Sequence, residues 1–145
     1  MGTIVVGIDG SNGSRAALRW ALDEGRVRNA TVQAVFAWHS SPVAGLASIG
    51  AFPARELVEE AARTELARIV DEEQLADRTD PEVLTSLVES SPAPALLEAA
   101  DGAELLVVGS RGHGAFSGML LGSVSQHCVT HSPCPVVVVP STAAD

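Results

Sequence analysis

The chain is predicted to fold as a single α/β domain spanning 1–145: a five-stranded, parallel, doubly wound sheet between helices, a three-layer α/β/α sandwich. Three observations predict this. Apolar, β-branched runs of strand length such as TIVVGID and AELLVV lack the alternation of a half-wetted strand, so they read as buried on both faces. Helical periodicity separates them, and crossovers of that length join parallel strands. A length of 145 residues with 46% hydrophobic content suits one domain with a sizeable core.

The elements follow in order. Thr3 to Asp9 is the first strand, broken by GSNGS. A helix is expected from near Ser14, with Ala17, Leu18, Ala21 and Leu22 on one face and Gly25 closing it. Thr31 to Trp38 is the second strand. His39 to Pro53, with two prolines and two glycines, reads as a long loop of the kind that often carries function. The clearest helix follows, ARELVEEAARTELARIVDEE, with an apolar stripe of Val58, Ala62, Leu66 and Ile69. Arg55, Glu59 and Arg63 fall at i, i+4 steps on an outer face, and Glu56, Glu60 and Glu65 read as solvated. Glu82 to Glu89 is a third strand with weaker alternation. SPAPALLEAAD is a short helix with Ser91 as N-cap and Pro92 at its first position. AELLVV, SVSQHCVTH and PVVVVP complete the pattern as strand, helix and strand.

Composition excludes several classes of function. The net charge of −9 repels phosphate backbones and anionic lipid, so neither nucleic acid nor membrane is an expected partner. All nine basic residues are arginine, which removes Schiff-base chemistry and a P-loop lysine. Aromatics make up only 3%, so Val, Leu, Ile and Ala must build the core. Two cysteines, Cys128 and Cys134, make no disulfide framework. No basic segment precedes the first apolar run and no stretch has the roughly 18 apolar residues of a membrane span, so a soluble, cytoplasmic protein is expected.

In a doubly wound sheet, ligands bind beyond the carboxyl ends of the strands where strand order switches. Two loops are expected there: Asp9 to Ser11, and GSRGHGAFSGMLLGS from Gly109 to Ser123. Glycine permits positive φ and close approach of a ligand to the main chain. A glycine-rich turn leading into a helix presents bare N–H groups to an anion. Main-chain phosphate binding is therefore implied, with Ser123 as a hydroxyl donor and Arg111 as a charge. Gly112, Gly114 and Gly118 are spaced one residue too far for a dinucleotide fingerprint and follow the wrong strand. His127 and His131 lie one turn apart but lack the glutamate of a zinc-protease pattern, so no metal site is expected. Ser110, His113 and Asp9 could be drawn as a triad, but no nucleophile elbow accompanies them, and no catalytic residue is assigned.

Gly109, two residues, Gly112, nine residues, then Gly122-Ser123 resembles the G-2x-G-9x-G-S/T signature of the ATP-binding universal stress proteins. The opening IVVGIDGS and the closing SPCPVVVV are similar to that family's first and last strands, so the resemblance covers the whole chain. It implies a strand order of 3-2-1-4-5 and ATP, ADP or AMP across the ends of strands 1 and 4, with Mg²⁺ carried by the phosphates. By position, Gly7 and Asp9 would lie near the adenosine and Ala37 at the adenine edge. Gly109, Gly112 and Gly122 would surround ribose and phosphates, with Ser110, Arg111, His113 and Gly114 in the phosphate loop and Ser123 and Val124 at the helix start. Met119 departs from the pattern, standing where many members carry a basic residue, which leaves the choice among the three nucleotides open. The resemblance also implies a homodimer through Val136, Val137, Val138 and Val139, an apolar edge that would otherwise stand open. The implied role is a stress-response nucleotide sensor with at most slow ATP hydrolysis. The alternatives are a dimeric scaffold without nucleotide, or a nucleotide-dependent transferase.

Overall fold

A computed structural model describes residues 2–38, 55–74, 81–112 and 120–140. The expected loop at 39–53 lies outside them. The elements are β1 (Thr3–Ile8), α1 (Asn12–Arg28), β2 (Thr31–Trp38), α2 (Arg55–Glu73), β3 (Val83–Glu89), α3 (Pro92–Ala99), β4 (Leu105–Gly109), α4 (Ser123–His131) and β5 (Val136–Val139). The sheet runs β3-β2-β1-β4-β5 with every pair parallel. This is the expected five-stranded doubly wound sheet in the expected order. Among the described residues no helix is long and apolar enough to cross a membrane.

The two-residue period of the strands divides the core. Ile4, Val6 and Ile8 of β1 face α1 and α2, meeting Leu18, Leu22, Leu66 and Ile69. Val5 faces the other way, with Val35, Leu106 and Val108, against Leu96 of α3 and Cys128 of α4. Each such Val, Leu or Ile side chain contributes about 1.5–3 kcal/mol when fully buried. Burial also pushes the Cys128 thiol up to about 11, so it stays protonated and fills space as a small hydrophobe.

Helix ends account for most differences from the sequence-based expectation. α1 begins at Asn12 because Ser11 caps it, its Oγ accepting from Ser14 N at 3.2 Å. It also passes through Gly25. The left-handed residue that ends it is Asn29, at φ 56°, one of the few non-glycine types that tolerates this region. Gly25 is buried inside the helix because a Cβ there would lie 2.9 Å from Pro81 Cγ and 3.0 Å from Val32 Cγ2. Ser91 and Pro92 stand at the N-cap and first position of α3 as expected, although the Ser91 side chain makes no capping bond.

Of the α2 residues at i, i+4 steps, Arg63 pairs with Glu59 at 3.2 Å. Arg55 instead reaches Glu89 at the end of β3 with two guanidinium nitrogens, at 2.5 and 3.1 Å, and lies over the Trp38 ring. The least exposed ion pairs join α1 to α2, with Arg15 between Glu72 at 2.9 Å and Glu73 at 3.0 Å.

Gly25→Val is expected to lower the unfolding free energy by about 1–3 kcal/mol through overpacking, measured by chemical denaturation. An unchanged midpoint would mean that Pro81 yields without cost. Arg55 also holds the Glu89 carboxyl below its ordinary range, mainly by hydrogen bonding. A depressed carboxylate stabilises the fold above its unfolded value, about 4.3, and loses that contribution as pH falls through the folded value. The stability difference between wild type and Glu89→Gln should therefore be present at neutral pH and close on acidification. A pH-independent difference in paired denaturation curves would contradict this.

Candidate functional site

Beyond the carboxyl ends of β1 and β4 lies a cavity of about 290 Å³, reached by residues from both loops named above and from α3 and α4. The sheet opens there for a topological reason. β1 and β4 are neighbours, and the chain leaves β1 for the α1 face while it returns from β4 through α4 on the other.

Apolar side chains form one part of the wall: Val35, Ala37, Pro92, Leu96, Val108 and Val124. Gly7 lets Leu96 in, because a Cβ at Gly7 would sit 2.8 Å from Leu96 Cδ1. The main chain of β2 supplies an acceptor. Thr31 N–H donates to Gly2 on the β1 side, whereas Val32 N–H donates to Glu82 and Trp38 C=O accepts from Ser90 on the β3 side. Successive residues thus face opposite neighbours, and Ala37 faces β1. The β1–β2 register stops at Ile8–Phe36, while β2 and β3 stay paired to Trp38–Glu89. The Ala37 carbonyl therefore points past the end of β1, at a residue that lines the cavity.

Asp9 is the acidic group of the wall. Its Oδ1 accepts from Ser11 N at 2.9 Å and from Ser11 Oγ at 2.5 Å. The turn between them passes through Gly10 at φ 86°, a conformation that glycine adopts without strain. On the other side of the carboxylate lies Gly112, where any Cβ would run into Asp9 Oδ2.

The remaining glycines do not share one purpose. A Cβ at Gly109 would lie 2.9 Å from the Gly13 carbonyl oxygen, so this glycine lets the start of α1 approach β4. Gly122 caps α4 at φ −75°, and a Cβ there would make only ordinary contacts, the nearest 3.4 Å from Arg111 Cα. Positive φ, one of the reasons offered for a glycine-rich loop, occurs at none of Gly109, Gly112 and Gly122. At Gly109 and Gly112 the close approach is between parts of the protein itself.

The start of α4 faces the cavity with Gly122, Ser123, Val124 and Ser125. No side chain caps it. The first-turn N–H groups of a helix lack intrahelical partners, and the macrodipole adds a partial positive charge there. Arg111 lies on the same wall, half-buried, and forms no ion pair with a carboxylate among the described residues. α1 differs, because Ser11 already occupies its cap.

The cavity therefore brings together Gly7, Asp9, Ala37, Gly109, Arg111, Gly112, Gly122, Ser123 and Val124 of the residues expected from sequence. Ser110 is buried and does not line it. Its carbonyl accepts from Gly122 N at 2.7 Å and lies 2.9 Å from Ser125 Oγ, tying the end of β4 to the start of α4. His113, Gly114 and Met119 lie outside the described residues. The sequence reading missed Ser14, Pro92, Leu96 and Ser125, and assigned no role to Ser11. D-G-S-x-x-S could have revealed Ser11 and Ser14, since its two serines have capping spacing. The α3 residues carry no local signal. His127 and His131 are exposed with ring centroids 5.6 Å apart, and among the described residues no three His, Cys, Asp or Glu side chains gather to hold a metal.

The universal stress protein family model matches residues 1–140, and the chain belongs to that family. A universal stress protein of Mycolicibacterium smegmatis is 39% identical over 140 residues, which are 94% of this chain and 45% of that protein. The chain spans about half the length of the curated relatives it matches. Among solved structures, the universal stress protein UspA from Lactobacillus plantarum superposes with a TM-score of 0.76 at 22% identity, covering 95% of this chain and 97% of that one. A universal stress protein solved in complex with cAMP superposes with a TM-score of 0.60 at 28% identity, covering 95% of each chain.

Gly109→Ala is expected to destabilise the protein by about 1–3 kcal/mol, because the Gly13 carbonyl has nowhere to go. Gly122→Ala should cost no more than about 1 kcal/mol, the difference between glycine and alanine at an N-cap. Thermal and chemical unfolding of the two variants side by side checks the ranking, and equal losses would refute it.

Proposed function

We propose that this cavity binds an adenine nucleotide, and that the protein is a nucleotide-responsive regulator rather than a metabolic enzyme. One observation carries the reading: the uncapped start of α4 faces the same cavity as the Asp9 carboxylate and the outward carbonyl of Ala37. These suit three parts of one ligand. Helix N–H groups and Arg111 suit a phosphate. A carboxylate accepts from ribose hydroxyls. A lone carbonyl acceptor suits the exocyclic amine of adenine and repels the oxygen that guanine carries at the same place. The apolar side chains around Ala37 and Leu96 offer a surface for the base.

The cAMP complex of a relative 28% identical to this chain supports an adenine nucleotide. In this reading Gly109, Gly112 and Gly122 shape the site, and His113 and Gly114 complete the phosphate loop. ATP, ADP and AMP are the ligands, and Mg²⁺ enters bound to the phosphates. Hydrolysis is at most slow. A homodimer pairs β5 with its copy, because Val136 to Val139 lie half-buried along a sheet edge.

Titration calorimetry on nucleotide-stripped protein, with AMP, ADP and Mg²⁺–ATP against Mg²⁺–GTP, tests the reading. Saturable binding of adenine nucleotides is expected, with GTP at least about tenfold weaker because it leaves the Ala37 carbonyl without a donor. Gly112→Ala should weaken AMP at least about tenfold by displacing Asp9. No heat and no thermal shift with any adenine nucleotide would overturn the proposal in favour of the scaffold.

A further inference from the structure

We infer that Ser11 is a positioning residue of the nucleotide site, fixing the Asp9 carboxylate against the first turn of α1 so that it meets the sugar hydroxyls of the ligand. The inference rests on the adenine-nucleotide reading above. It assigns to Ser11 more than the capping of a helix.

A carboxylate oxygen only accepts, so the 2.5 Å contact between Ser11 Oγ and Asp9 Oδ1 is donated by the hydroxyl. Ser11 N–H donates to the same oxygen at 2.9 Å. Both hydrogens of Ser11 are thus directed at Oδ1, and the hydroxyl oxygen is left to accept from Ser14 N at 3.2 Å. Ser14 closes the circuit. Its Oγ donates to the Ser11 carbonyl at 3.0 Å and accepts from Asp9 N at 3.3 Å.

Asp9 is therefore anchored to α1 through main chain and side chain together. Its other oxygen is bounded by Gly112, where a Cβ would collide with it. Asp9, Ser11, Ser14 and Gly112 all line the cavity. A carboxylate alone would turn about two side-chain torsions, and a ligand would have to order it on binding. The two Ser11 donors order it beforehand, and charge-assisted bonds of this kind are roughly twice as strong as neutral ones. The capping bond by itself needs only the Ser11 oxygen. The second use of that hydroxyl, on Asp9, is what links the cap to the ligand.

The test measures AMP and 2′,3′-dideoxy-AMP binding by titration calorimetry to wild type, Ser11→Ala, Ser11→Gly and Ser11→Thr, each first shown to be folded by circular dichroism. Glycine is a tolerable N-cap without a hydroxyl, so it keeps the test open should the alanine variant fail to fold. AMP should bind Ser11→Ala and Ser11→Gly about tenfold more weakly than wild type, and Ser11→Thr within about threefold. The dideoxy ligand, which offers Asp9 no hydroxyl, should bind all four proteins equally. Equal losses for both ligands would reduce Ser11 to a structural cap and overturn the inference. Wild-type protein that binds the two ligands equally would overturn it too, while leaving the nucleotide reading standing. Wild-type protein that binds neither overturns both.

Discussion

β1 and β4 lie side by side, Val5 beside Leu106 and Val6 beside Val107, with both faces of both strands out of water. A strand with no wet face must be covered by helices above and below. Right-handed crossovers then oblige the chain to leave these two strands on opposite faces. The gap left between their carboxyl ends is the cavity. Its depth comes from a difference in strand length, because β2 stays paired with β3 for two residues after β1 has stopped. Asp9, the Ala37 carbonyl and the start of α4 meet in one place as a consequence of how a doubly apolar strand is buried.

Around this gap the protein uses missing side chains as a building material. Gly7 admits Leu96, Gly109 admits the first turn of α1, and Gly112 admits the Asp9 carboxylate. These are approaches between parts of the protein, each of which brings one wall of the cavity to its place. Gly10 alone among the glycines discussed at the site relies on positive φ, in the turn that brings Ser11 back to Asp9. At Gly109 and Gly112, what reads in sequence as loop flexibility is a pair of tight contacts.

Among the described residues, most arginines lie in ion pairs on the helices. Arg15, Arg19, Arg63 and Arg68 pair with glutamates on or between α1 and α2, and most of these pairs are exposed and individually weak. Arg111 stands apart from that network, on the cavity wall. An acidic chain thereby keeps a basic group on the cavity wall that the start of α4 also lines.

Strand content, helix content and fold class were legible in the sequence because apolar runs of strand length, bounded by turn residues, alternate with segments of helical periodicity. The sequence-based bounds of β2 and α4 coincide with the observed ones, and those of β1, α2, β3 and β4 differ by a residue or two. The order of the strands came only from the resemblance to the universal stress proteins, since periodicity reports which residues are buried and not what lies beside them. Ending α1 at Gly25 followed a sound local rule, but the packing of Pro81 and Val32 overrode it and Asn29 took the role. Asp9 and the α4 start could be placed at the cavity because their signals are local: a carboxylate at a strand end, and a glycine before a helix. Leu96, Pro92 and the clasp of Arg55 on Glu89 could not, since each depends on elements distant in the chain coming into contact. The sequence by itself determined which segments must be buried and where main chain would be left bare. Only the tertiary structure decided which bare groups face the same cavity, because that depends on strand order and on where neighbouring strands stop.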